Sequence, residues 1–389
     1  MIKKFSITKR LLIFLVIFFI QFLFKFWHSS NAFAQIQSVN TNLYLPIILN
    51  NFSFAGDKFI GIYMPAYWGT NQIVKDNLDK ANRLASKPHS VVGWFISIQD
   101  KAFLRSNLSY WEIRGNNFYA QLESLWTEGY ISFINIGSGK EEPYTSDINC
   151  PYKANLESIA SGECDKAIRV MAQIYSQWTR LGEGRKAFVA LFPEMNDTTN
   201  KDNYTTGDIY NYKLAFQRIK QIFREEQVDG YVWWVFAPNG WSWPDHKFEN
   251  YYPGDDLVDV IAFSSYNFGY CWVMGEWKEW ADYNTVFGQY ITRLQKMAPN
   301  KRIIIAQTGV VPDRNFTGEN NYEEKNVWIR DTYTKLSQEP SVLGVLYFDI
   351  DGNCRWGITS QPFTYTGYAQ GAANFKKLNS SDLTKIIKK

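Results

Sequence analysis

Eight short runs of β-branched and aromatic residues, each followed by a stretch long enough for a helix, constrain this chain more than any other feature. They are Phe59–Tyr67, Val91–Gln99, Tyr130–Gly137, Ala187–Glu194, Gly230–Ala237, Val258–Tyr266, Arg302–Thr308 and Val342–Asp349. Helix-period segments lie between them, among them Asp165–Arg180, Tyr210–Glu226, Thr285–Met297 and Glu323–Gln338. This alternation is the mark of βα units, whose strands run parallel under a cover of helices. Eight units in one chain predict α/β architecture as a closed (β/α)8 TIM barrel in a single domain, not an open doubly wound sheet. No phosphate loop competes: Gly137-Ser138-Gly139-Lys140 lacks the earlier glycine and has Glu141 where a magnesium-binding hydroxyl belongs.

The predicted barrel occupies residues 58–380, with a basic C-terminal tail over 381–389. Ahead of it, Lys3, Lys4, Lys9 and Arg10 precede an apolar run from Leu11 to Phe24, then Ala32-Phe33-Ala34. This is the build of a signal peptide over 1–34, predicting export and a mature chain from Gln35. A membrane anchor is the rival reading, but the apolar run is shorter than the ~20 residues a spanning helix needs. Residues 35–57, rich in Asn and Ser, read as a linker or added edge segment.

Charge is near balance, with 41 basic and 38 acidic side chains, which argues against nucleic acid or anionic lipid as the main partner. In an exported chain the four cysteines are expected to pair. Three connectivities are open; proximity favours Cys150 with Cys164, and Cys271 can reach Cys354 only if both loops lie on one face of the fold. No spacing resembles a zinc site and only three histidines exist, so no metal or other cofactor is expected.

Chemistry in a closed barrel lies at the C-terminal rim of its strands. The fourth run ends Leu191-Phe192-Pro193-Glu194-Met195-Asn196, bringing a carboxylate to that rim. Glu194 is either a rim residue paired with a cation or a general acid/base held in a partly apolar cleft. The fifth run closes on Asn239-Gly240-Trp241 and the sixth on Tyr266-Asn267. Aromatic rings and amides at a rim suit sugars, which offer flat C–H faces and hydroxyls. Trp68, Trp94, Trp241, Trp243, Trp272 and Trp356 all fall near predicted strand ends, and about half of them are expected to be packing residues.

Several short stretches in order carry a resemblance that no single one would. They are Pro193-Glu194-Met195-Asn196, Tyr251 to Asp256 with Val258-Asp259, Tyr266-Asn267, Ile305-Ala306-Gln307-Thr308-Gly309, and Trp328-Ile329-Arg330 leading to Tyr347-Phe348 and Trp356. From residue 59 onward the chain resembles glycoside hydrolase family 26, known chiefly for β-mannanases. The resemblance implies a retaining mechanism on a β-linked polysaccharide or oligosaccharide, with Glu194 matching the acid/base that ends the fourth strand. The place of the nucleophilic glutamate, at the end of the seventh strand, falls on Gln307. Tyr266 matches a tyrosine beside the nucleophile, Trp356 an aromatic floor under the sugar, and Arg355 is a weaker candidate because the family's arginine follows that aromatic.

Pro193, where the mannanases have histidine, and Asp197-Thr198-Thr199 after Asn196 depart from the mannan-specific pattern. Gln307 departs further, since a neutral amide is a poor nucleophile and cannot offset an oxocarbenium-like charge. It also removes the charge that would hold Glu194 protonated, so Glu194 is expected to titrate lower than in an intact pair unless burial compensates. Two functions follow. In one, the barrel is a glycosidase that recruits Asp349 or Asp351 instead, retaining if the carboxyls lie about 5–5.5 Å apart and inverting at about 6.5–9.5 Å. Against this, both aspartates can simply shape a turn with Gly352 and Asn353. In the other, the barrel binds carbohydrate without cleaving it.

Overall fold

The computed structural model describes residues 57–64, 71–99, 109, 116–138, 150–151, 153–199, 204–269, 271–273, 276–277, 280–312, 322–350, 354–360 and 366–388. Eight parallel strands close on themselves: β1 (Phe59–Tyr63), β2 (Val91–Ser97), β3 (Ile131–Gly137), β4 (Ala187–Leu191), β5 (Val232–Phe236), β6 (Val260–Ser264), β7 (Ile303–Thr308) and β8 (Val342–Phe348). Each pairs with its sequence neighbours and β8 returns to β1, with Phe59 opposite Gly344 and Tyr63 opposite Phe348. The molecule is therefore a (β/α)8 barrel. The predicted strands exist, but most end earlier than their apolar runs, whose last residues form the rim instead.

The strands read as continuous apolar runs because both faces are buried. Side chains pointing inward, among them Phe59, Tyr63, Phe133, Phe188, Trp233 and Leu346, fill the barrel. Phe188 sits at their centre, its ring 5.7 Å from Phe133 and 4.7 Å from Trp233. Filling with aromatics demands small neighbours: a Cβ on Gly93 would lie 2.4 Å from the Tyr63 ring, and one on Gly344 2.4 Å from Phe59. Outward-pointing residues such as Val189, Trp234 and Ile305 meet the helices.

The helices are α1 (Asn71–Ala85), α2 (Asn117–Thr127), α3 (Leu156–Ser161), α4 (Asp165–Thr179), α5 (Ile209–Glu225), α6 (Phe248–Tyr251), α7 (Gln289–Met297), α8 (Tyr322–Gln338), α9 (Thr366–Ala372) and α10 (Ser380–Ile387). The long ones match the predicted segments closely, except that a π-helical turn, Asn284–Gly288, precedes α7. A two-stranded hairpin of Trp272–Val273 and Glu276–Trp277 follows β6. Disulfides join Cys150 to Cys164 and Cys271 to Cys354, the second tying the loop after β6 to the loop after β8.

The basic tail expected over 381–389 is corrected. From Ser380 the chain is helical, opened by an Asn379–Asp382 capping box, and Leu383 is fully buried with Leu378 among the inward-facing strand residues. Its lysines misled, because only one face of the helix is charged. Residues 1–56, which hold the signal peptide and all but the last residue of the linker segment, lie outside the described residues, as do Trp68 and Asp351.

Candidate active site

Two local departures from strand geometry build the site. After β4, Phe192 and Glu194 both take positive φ, 50° and 59°, on either side of Pro193. Left-handed backbone at non-glycine residues costs on the order of 1 kcal/mol each and persists only where surroundings enforce it. Here Glu194 N donates to Ala237 O at 2.8 Å, and Asp197 N to Glu194 O at 2.8 Å, closing a turn. The turn takes Phe192 out of the inward row of Phe188 and Ala190 and packs it on Tyr212 in the outer core, leaving Glu194 at the cleft. The second departure is a register shift in β7: Phe263 faces Ile305 but Ser264 faces Gln307. Strict alternation would send residue 307 outward with Ile303 and Ile305. The bulge at Ala306 re-aims it inward.

Glu194 keeps some solvent access and lies among groups from several strands. Burial pushes its carboxyl up to about 7; hydrogen bonds from Ser264 and Asn239 pull the other way, and the Asp197 charge adds to the rise. Burial thus supplies the compensation that the sequence left open. A vanished neighbouring carboxylate does not leave Glu194 ionised, because its apolar surroundings do the same work.

Gln307 is 5% exposed, and its Oε1 accepts from the Tyr266 hydroxyl at 3.0 Å. On its other side stands Tyr63, whose hydroxyl accepts from Asn135 Nδ2 at 2.5 Å and from the Gln307 amide. Burial, first, and the Glu194 charge, second, raise the phenol pKa of both tyrosines, so each stays a neutral donor. Glu194, Gln307, Tyr266 and Tyr63 form one cluster. Tyr63, Asn135 and Ser264 escaped the sequence reading because each sits inside an otherwise apolar strand and looks like filler; a polar residue interrupting an inward-facing row is the signal that could have found them.

Trp356 is 8% exposed and packs on Tyr266, ring centroids 4.9 Å apart, and on Phe268 at 5.2 Å. Its loop is clamped by two buried charges. Lys325 Nζ on α8 donates to the carbonyls of Arg355, Trp356 and Gly357 at 3.1, 3.0 and 2.9 Å, while Asp349 accepts from Ile358 N at 2.5 Å, from Thr359 N at 2.9 Å and from the Thr359 hydroxyl. Asp349 is thereby spent on the loop and is not a replacement nucleophile. Arg355 is exposed beside Trp356.

Asn239 meets the expectation of a rim amide: it bonds Glu194, and its Oδ1 accepts from Trp241 N at 3.0 Å. Asn196 holds the same loop through Asn239 O at 2.9 Å and Trp241 O at 3.2 Å. Trp241 is 45% exposed and Trp243 48%, their rings 4.9 Å apart, whereas Trp94 is core. Asn267 is corrected. It is buried, its Oδ1 accepting from Ala281 N and Gly269 N and its Nδ2 donating to Ala281 O, so its amide braces a loop and does not face a ligand.

No family model matches the chain. A region of 235 residues, 57% of this chain, is 26% identical to Endoglucanase H of Acetivibrio thermocellus, and the match spans 23% of that protein. Among solved structures, a glycoside hydrolase of family 5, subfamily 18, from Bifidobacterium longum subsp. infantis is 14% identical with a TM-score of 0.59, over 83% of this chain and 80% of that one. A ruminal family 26 endo-β-1,4-mannanase is 13% identical with a TM-score of 0.54, over 84% and 65%. A β-mannanase from a symbiotic protist of the termite Reticulitermes speratus, complexed with gluco-manno-oligosaccharide, is 13% identical with a TM-score of 0.53, over 86% and 92%. The chain shares its barrel with these glycoside hydrolases, including mannanases of the family its sequence resembles.

Proposed function

We propose that this chain is an exported, glycoside-hydrolase-like barrel that engages β-linked polysaccharide, with Glu194 as general acid/base and Gln307 in the nucleophile's place. The observation that carries the reading is a half-buried carboxyl at the end of β4, its pKa raised to about 7, clustered with a tyrosine-held amide at the end of β7. That is the position and protonation a glycosidic acid needs. Trp356 on Tyr266 supplies a flat floor beside it, and the exposed Trp241 and Trp243 continue the aromatic surface along the rim. Mannan-type glycans are the first candidate, supported by the mannanases that share the fold, one of them bound to gluco-manno-oligosaccharide.

Gln307 favours a second reading, a barrel that binds such glycans without cutting them. A screen of purified protein against manno-, gluco- and xylo-oligosaccharides, reading binding and cleavage together, separates the two. Turnover abolished by Glu194→Ala sinks the binding-only reading; binding with no cleavage over long incubation sinks the enzyme reading for those sugars. N-terminal sequencing of exported material, expected to begin at Gln35, tests the export signal.

A further inference from the structure

Among the described residues the cluster has an acid and no carboxylate placed to act as its nucleophile. Asp349 is consumed by the loop it folds. Asp197 lies on the same turn as Glu194, its Oδ1 accepting from Thr199 N at 2.9 Å and Thr199 Oγ1 at 2.6 Å, so it does not stand across the bond from the acid. Both tyrosines are held as neutral phenols. At the nucleophile's place stands an amide whose Oε1 accepts from Tyr266 and, as an amide oxygen, has the capacity to accept a second hydrogen bond.

Resting on the carbohydrate reading above, we infer that the substrate supplies the nucleophile: the site fits β-glycosides of 2-acetamido-2-deoxy sugars, with Gln307 Oε1 accepting the acetamido N–H and Glu194 protonating the leaving oxygen. The acetamido oxygen bonds to C1 as the bond from C1 to the leaving oxygen breaks and the Glu194 proton passes to that oxygen. The resulting bicyclic oxazolinium carries its charge over the O–C–N unit. Water then attacks C1, gives its proton to the Glu194 carboxylate, and reopens the ring to the acetamide. Two displacements at C1 give retention. A glutamate at position 307 would compete for C1 from the same face; a glutamine orients the acetamido group and cannot. Geometry restricts the sugar, because the C2 group must be trans to a β leaving group. An equatorial substituent meets this, and an axial one, as in mannosides, does not, so by this inference mannan-type glycans are bound at most and not cut.

The test uses the mature protein with a β-1,4-linked N-acetylglucosamine hexamer, its de-N-acetylated counterpart, and gluco- and manno-hexaose, following binding by calorimetry and products by mass spectrometry and proton NMR. The expected result is cleavage of the acetylated hexamer alone, β-anomer released first, inhibition by a thiazoline analogue of the bicyclic intermediate, and a loss of about 10²-fold or more in Glu194→Gln. Comparable cleavage of sugars lacking the acetamido group, or release of the α-anomer, overturns substrate assistance. Binding of the acetylated hexamer without cleavage also overturns it while leaving the carbohydrate reading standing. Failure to bind any of the four, in protein whose fold is verified by circular dichroism, removes both.

Discussion

At position 307 one atom separates a carboxylate from an amide. Tyr266 donates to Oε1, a bond that a glutamate would accept at least as well. Gln307→Glu is nearly isosteric and should therefore give measurable, retaining hydrolysis of β-linked oligosaccharides that carry no 2-acetamido group, where the natural chain gives none; proton NMR of the first-formed anomer checks it. Glu194 makes a second prediction. Its folded pKa of about 7 lies above the ordinary carboxyl value of 4.5, so the folded state holds the proton more tightly and stability contributed at low pH is lost as pH rises between those values. Glu194→Gln should thus raise the melting temperature at pH 8, by an effect of up to about 3 kcal/mol, and change little at pH 4. Equal shifts at both pH values would mean that ionisation of Glu194 is not what costs stability.

Among elements, the loop after β8 is held by residues buried beneath it. Lys325 on α8 satisfies three successive carbonyls around Trp356, and Asp349 satisfies the amides that follow. Lys325→Met leaves those carbonyls and the Asp349 charge without their cation, at about 3–5 kcal/mol. The expected outcome is a lower denaturation midpoint together with weaker oligosaccharide binding, read by calorimetry below the transition. The loop after β5 behaves oppositely. Its backbone is pinned by Asn196 and Asn239, while the rings of Trp241 and Trp243 stay exposed. Trp241→Ala with Trp243→Ala should change stability by only about 0.5 kcal/mol yet weaken binding of long oligosaccharides about tenfold, with less effect on short ones.

For the whole molecule, the barrel is an aromatic-filled tube with contrasting ends. The C-terminal rim carries the polar cluster of Glu194, Gln307 and Tyr266; the opposite end is closed by α10, whose Leu383 joins Leu378 among the inward-facing residues. Ending the chain at Asn379 should expose that layer and cost about 2–5 kcal/mol, the range for deleting a large buried side chain. Urea titration would show it as a lower midpoint, and a barrel of unchanged stability would mean that α10 is an ornament.

The sequence by itself determined the number of strands, their parallel order, the span of most helices and the strand ends at which to look, because all of these follow from hydrophobic periodicity and from a chain rule that each strand returns through a helix. A resemblance in motif order also pointed to Glu194, Gln307, Tyr266 and Trp356, which the barrel brings together. What the sequence could not decide depended on distances between residues far apart in the chain. Burial, a property of packing, keeps Glu194 an acid beside a neutral amide. A bulge in β7, invisible to a period of two, turns Gln307 into the cleft, and two left-handed residues after β4 turn Phe192 out of the inward row. Asp349 looked available and Asn267 looked like a ligand until the loops they brace were in place, since a side chain's spare hydrogen bonds exist only relative to its neighbours. The lysines of α10 read as a tail because composition averages the two faces that the tertiary structure separates, one in water and one against the barrel.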